Sequence, residues 1–141
     1  MVADNWVPKE LTLIARVAAA PSPPPPAVSP DSARTHVEED LVWLSRLRES
    51  ARRLVARGDF GLFGTSIAAT WLFAELEGSV GFFVDEDPNR VGKAFLERPV
   101  YHPSQVAAGS HVLLALAGPM AMAVNRRGAG QDVVYHLPPE A

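Results

Sequence analysis

The stretch Val80-Gly81-Phe82-Phe83-Val84 is apolar throughout. A strand with no polar face cannot leave one side in water, so it needs layers packed above and below it. That requirement points to a sheet covered by helices on both sides. The preceding residues agree. Phe60-Gly61-Leu62-Phe63 has strand character, Gly64-Thr65-Ser66 reads as a tight turn, and Ile67 to Glu77 reads as a helix closed by Gly78. Strand, helix and strand within about 25 residues make one βαβ unit, which implies a parallel pair.

The alternation continues. Pro99-Val100-Tyr101 predicts a short strand, and His102-Pro103-Ser104 a turn that can open a helical turn. His111 to Leu116 predicts another buried strand, Met120 to Arg127 a helix, and Asp132 to Leu137 a last strand before Pro138-Pro139. The expected class is α/β: a Rossmann-like, open, mostly parallel sheet with flanking helices. No internal repeat is visible.

A long amphipathic helix should precede this sheet. Val37, Leu41, Leu44, Leu47, Ala51, Leu54 and Val55 recur at three- and four-residue steps, and Gly58 follows the last of them. Ser29-Pro30-Asp31-Ser32 offers turn and capping chemistry, with Asp31 or Ser32 able to accept the free amide hydrogens. Acid lies toward the start and arginine toward the end, as the helix dipole favours. The arginine-rich end reads as a solvated face.

Three segments result: a helical segment at 1–20, a proline-rich linker at 21–30, and the α/β domain at 31–141. Pro21-Ser22-Pro23-Pro24-Pro25-Pro26 predicts a stiff polyproline spacer. The segment ahead of it has Leu11 and Ile14 on one face and no core of its own, which suggests docking on a protein partner or self-association through 1–20.

Composition narrows the function classes. The net charge of −3 offers no basic excess for nucleic acid, and the absence of cysteine leaves neither disulfides nor thiolate zinc sites. No apolar run reaches membrane-spanning length. Asp4, Glu10 and Arg16 break the pattern of a secretory leader, so a cytoplasmic location is expected.

The chemistry should gather at the first strand-to-helix turn. Small residues at Gly64, Thr65 and Ser66 let a ligand approach the backbone, and a helix N-terminus presents free amide hydrogens. Asp85 stands 21 positions after Gly64, where an acid in this kind of sheet receives ribose hydroxyls. The pattern is not G-x-G-x-x-G, and Thr and Ser occupy the crowded positions, which suits a smaller phosphate or nucleotide group better than a dinucleotide. No metal is expected at Asp85-Glu86-Asp87, which reads as a solvated loop. Ser66 lacks the elbow of a hydrolase nucleophile. His102, beside Tyr101 on a loop, and Asp85 are the only candidates for acid/base work, so catalytic residues stay unassigned. The cofactor does too, for no S-adenosylmethionine motif is evident.

Gly64-Thr65-Ser66 and its helix are followed by three further runs. These are Val84-Asp85-Glu86-Asp87-Pro88-Asn89-Arg90-Val91-Gly92-Lys93, then Arg98-Pro99-Val100-Tyr101-His102-Pro103-Ser104, then His111 to Gly118. Together they resemble the C-terminal Rossmann-like domain of sugar C-methyltransferases. Similar runs occur in nucleotide-binding domains of nucleotide-sugar acetyltransferases and polysaccharide-biosynthesis dehydratases. The resemblance implies a module that holds a nucleotide or nucleotide sugar through Gly64, Thr65, Ser66 and Asp85, with Asn89, Arg90, Lys93 and His102 around the site. In the methyltransferases a methyl-donor domain and a zinc-binding segment come first. Residues 1–58 have no room for the former and the chain has no cysteine for the latter, which implies a module not catalytic by itself. Two alternatives stay open: a structural or assembly domain of a larger methyltransferase-type complex, and a small NAD- or nucleotide-dependent enzyme.

Overall fold

The structure is a computed structural model that describes residues 29–116, 118–128, 130 and 132–140. The expected 1–20 segment and nearly all of the proline-rich linker lie outside the described residues. The chain enters on α1 (Pro30–Val55), then runs through β1 (Phe60–Phe63), α2 (Ile67–Glu75) and β2 (Phe82–Val84). A two-residue β3 (Ala94–Phe95), β4 (Arg98–Tyr101) and a 3-10 turn at Pro103–Gln105 follow. β5 (His111–Leu114), α3 (Gly118–Gly128) and β6 (Val134–His136) complete it.

The result is a mixed α/β fold around a six-stranded sheet, ordered β3-β4-β2-β1-β5-β6. Every pairing is parallel except β3 with β4. From β1 the chain builds outward through β2 to β4, then returns to add β5 and β6 on the other side. The order therefore reverses beside β1, and at such a point the loops leaving two adjacent parallel strands part and open a crevice.

Alternation along the strands sorts the core into two layers. Leu62, Phe83, Val100 and Leu113 face α1 and α2, where Leu47, Ala51, Leu54, Ala69 and Leu72 meet them. Phe63, Val84, Val112 and Leu114 face the other way, against Ala121 and Val124 of α3. Two glycines, Gly61 under Phe82 and Gly128 under Tyr135, are needed for packing. A Cβ on Gly61 would run into the Phe82 ring, so the bare backbone of β1 is the surface on which that ring lies.

Some boundaries differ from expectation. α1 starts at Pro30 with Ser29 as its cap residue, not at Asp31 or Ser32; proline at the first helical position needs no amide partner. Its apolar stripe outruns the sheet. Leu47, Ala51 and Leu54 are buried, while Val37 and Leu41 are exposed. The last strand is shorter than expected, Val134–His136, paired with His111 to Leu113 of β5.

The β3–β4 hairpin was not foreseen. Leu96 and Glu97 turn it with φ of 49° and 61°, both left-handed, where Asn or Gly is the usual choice. Arg98 holds the hairpin down. Its Nε donates to the Val80 carbonyl at 2.9 Å, its Nη2 to the Gly78 carbonyl at 3.2 Å, and its guanidinium lies over the Phe73 ring.

Candidate functional site

The carboxyl ends of β1, β2 and β4 meet at one edge of the sheet. Gly64 takes the chain out of β1 at φ 87°, and its amide donates to the Val84 carbonyl at 2.6 Å, which joins the ends of β1 and β2. The amide of Asp85 donates in turn to the Tyr101 carbonyl at 3.0 Å, which brings in β4. Three loops are thereby held within one turn of each other.

Asp85 organises this edge. Its Oδ2 accepts from the Thr65 amide at 3.1 Å and the Thr65 hydroxyl at 2.9 Å, and its Oδ1 from the Asp87 amide at 3.0 Å. The Arg90 guanidinium lies 3.6 Å from Oδ2 and 3.5 Å from a carboxylate oxygen of Asp87. Arg90 also donates to the Thr65 carbonyl at 3.0 Å and to the Thr65 hydroxyl oxygen. Burial by itself would raise the Asp85 carboxyl. The Asp87 amide, the hydroxyl and amide of Thr65, and Arg90 together outweigh burial and hold it below its usual range. A carboxylate of that kind stays ionised at neutral pH and is a poor proton carrier.

Ser66 is the cap of α2. Its hydroxyl accepts from the Ala69 amide at 3.3 Å, which leaves the amides of Ile67 and Ala68 at the open first turn of the helix. Ile67 is 90% exposed at the same edge. No sequence signal marked it, because a first-turn isoleucine reads as core.

A cleft of about 220 Å³ opens beside this network, lined by Thr65, Asn89, Arg90, Lys93, Phe95 and Val100. It gathers four of the eight expected ligand contacts. Phe95, contributed by the unforeseen hairpin, forms part of its apolar floor. Asn89 is fixed by a local turn in which its amide and its side-chain nitrogen both donate to Asp87. Among the described residues Lys93 makes no ion pair. Arg90 and Lys93 thus line a small cleft on the acid-to-helix side of the sheet edge.

The three acids diverge to different partners. Asp85 turns to Thr65, Asp87 to Asn89, and Glu86 to Arg127 of α3 at 2.8 Å. Among the described residues no group of three His, Asp or Glu side chains is placed to hold a metal ion. His102 is not among the residues lining the cleft. Its Nδ1 lies 2.8 Å from the Ser104 hydroxyl and accepts from the Ser104 amide, while its own amide donates to Gln105 Oε1, so it caps the 3-10 turn.

Tertiary pairing also produces a contact no spacing announced. Parallel registration of β5 with β6 brings His111 Nδ1 within 2.9 Å of His136 Nε2, with the rings stacked. Burial, then His111, then Arg57 lower the pKa of His136. Arg57 is a poor neighbour for a metal ion, and the pair reads as a shared-proton link between strands.

Comparison with protein-family models, with curated proteins and with solved structures finds no match.

Proposed function

We propose that this chain is a Rossmann-like binding module that takes the phosphate-bearing part of a nucleotide or nucleotide sugar in the Arg90–Lys93 cleft. One observation carries the reading: Thr65, Asn89, Arg90 and Lys93, from two loops, line one small cleft, and Thr65 stands two residues before the first residue of α2. Lys93, which makes no ion pair among the described residues, and a helix N-terminus favour a phosphate together, while Arg90 is already shared with Asp85 and Asp87. The strand order reverses between β1 and β5, and only the Thr65 turn links that crevice to the cleft, whose other walls come from the β2–β4 side of the sheet.

The roles divide differently from a dinucleotide clamp. Asp85 already accepts from Thr65 and Asp87, so it acts as the organiser that sets Thr65 and Arg90, and ribose hydroxyls reach it only by displacing those donors. Phosphate oxygens meet Lys93, Arg90 and the Ile67 and Ala68 amides, and exposed Ile67 offers an apolar surface to a sugar or base. Among the described residues, Arg90 and Lys93 are the titratable side chains lining the cleft, and two basic groups suit anion binding. That is the role the likeness to sugar C-methyltransferase C-terminal domains suggests.

The test is an amide-shift titration of the full chain with nucleotide sugars, nicotinamide cofactors, S-adenosylmethionine and inorganic phosphate. Thr65 to Ala68 and Lys93 should respond to a nucleotide sugar, and Lys93→Ala should weaken that response about tenfold, the scale of one charged contact. Silence of these amides toward every probe would sink the reading.

A further inference from the structure

α1 carries two opposed faces. Leu47, Ala51 and Leu54 lie against the sheet. At about 3.6 residues per turn the opposite line passes through Asp31, Arg34, Glu38, Leu41, Ser45 and Glu49, with Val42 beside Leu41. Every residue from Pro30 to Val42 is exposed, including Leu41 at 58% and Val42 at 50%. That is about 20 Å of helix with every residue exposed among the described residues. A free arm of this length is marginal in water, because helix nucleation is costly and most helical stability comes from packing. A groove of about 640 Å³ runs along the same line, from Leu41 and Val42 to Glu49 and Arg53, with Pro139 as its far wall.

We propose that a second copy of this chain fills the groove, with the two α1 helices antiparallel. The charge pattern selects that occupant and that direction. The first half of α1 holds Asp31, Glu38, Glu39 and Asp40 with one arginine, Arg34; the second holds Arg46, Arg52, Arg53 and Arg48, the last paired with Glu75, with one glutamate, Glu49. An antiparallel pair sets acid against base along its length, whereas a parallel pair sets like against like. With a two-fold axis between Leu41 and Val42, the outer line is self-complementary. Leu41 meets Val42 of the partner subunit, and Ser45 meets Glu38 of the partner subunit. Glu49 meets Arg34 of the partner subunit, and Arg52 meets Asp31 of the partner subunit. Such a contact is isologous and closes as a dimer. Residues 1–20 are the other occupant within reach, but Asp4, Lys9, Glu10 and Arg16 carry no such charge gradient. The proposal is independent of what the cleft binds.

The experiment is sedimentation equilibrium on the full chain over a concentration series, with circular dichroism to check that each variant keeps its helix. The expected result is a monomer–dimer equilibrium. Leu41→Asp should weaken association at least about tenfold by burying an unpaired charge at the axis. Arg34→Glu and Glu49→Arg should each weaken it about tenfold, since each sets like charges together twice. Mixing those two variants should restore association as a heterodimer, visible by native mass spectrometry, because all the contacts between positions 34 and 49 are then of opposite sign. A full chain that stays monomeric overturns the proposal, as it would if residues 1–20 covered the groove. So does a dimer indifferent to all three substitutions, or a mixture of the charge variants that fails to recover.

Discussion

The centre of the sheet and its carboxyl edge are built by different physics, although only one turn of chain separates them. At the centre, Leu62, Phe83 and Leu113 are fully buried, and order comes from shape: Phe82 lies on β1 because Gly61 has no side chain. At the edge, Thr65, Asp85 and Arg90 are held by donors and acceptors that satisfy one another. The centre fails when volume changes, because a packed interior has no slack. The edge fails when a partner is left unmatched, because a half-buried polar group without its bond costs free energy. On the function proposed above, the difference also separates stability, held by the centre, from binding, assigned to the edge.

The largest effect should come at the centre. Gly61→Ala drives a methyl group into the Phe82 ring and should cost about 1–3 kcal/mol of stability in urea unfolding, as overpacking does. Phe82→Leu in the same chain should return part of that loss; no recovery would mean that the ring is not what the glycine serves.

At the edge, Asp85→Asn should cost about 1–3 kcal/mol, since it removes the charge that gathers Thr65, Asp87 and Arg90. The sign of its pH dependence follows from the lowered carboxyl. The unfolded chain takes up the proton first, so the stabilisation is present above the ordinary value of 3.8 and is lost as pH falls through the folded value. The variant should show a flatter acid limb in a series of melts, and an unchanged limb would assign that limb to other groups.

The hairpin that brings Phe95 to the cleft holds Glu97 at φ 61°. Glu97→Gly should stabilise by up to about 1 kcal/mol if relief of that strain exceeds the added freedom of the unfolded chain, measured by urea midpoint. The smallest effect belongs to His136. Its pKa lies below the ordinary 6.5, so the folded chain resists a proton that the unfolded chain accepts. Its contribution is whole above pH 6.5 and declines as pH falls below it. His136→Gln should remove that mild slope, while Asp85→Asn should leave it in place, which keeps the two pH windows apart.

Much of the sheet was legible along the chain. Residues 60–63 and 111–114 announced buried strands because both faces needed cover, and Gly64 and Gly78 marked the turns because only left-handed backbone closes them so tightly. The 21-residue step from Gly64 to Asp85 was legible too, because one helix and one strand span a fixed distance. It said that the two would meet, and not what they would do on meeting. β3 was hidden, since Leu96 and Glu97 lack the Asn-Gly signature of such turns and are held there by Arg98 and the pairing with β4. Val37 and Leu41 continued a flawless amphipathic pattern, yet the sheet ends before it reaches them.

The sequence by itself therefore determined the layered α/β class, the order of most elements and the tight turn at Gly64-Thr65-Ser66, because periodicity and turn chemistry are local. Tertiary structure alone decided that Asp85 takes the Thr65 amide and hydroxyl, that Arg90 and Lys93 line the same cleft, that His111 meets His136, and that among the described residues the first half of α1 is exposed. Those outcomes depend on which strands become neighbours and where their edges stop, and no single stretch of chain contains that information.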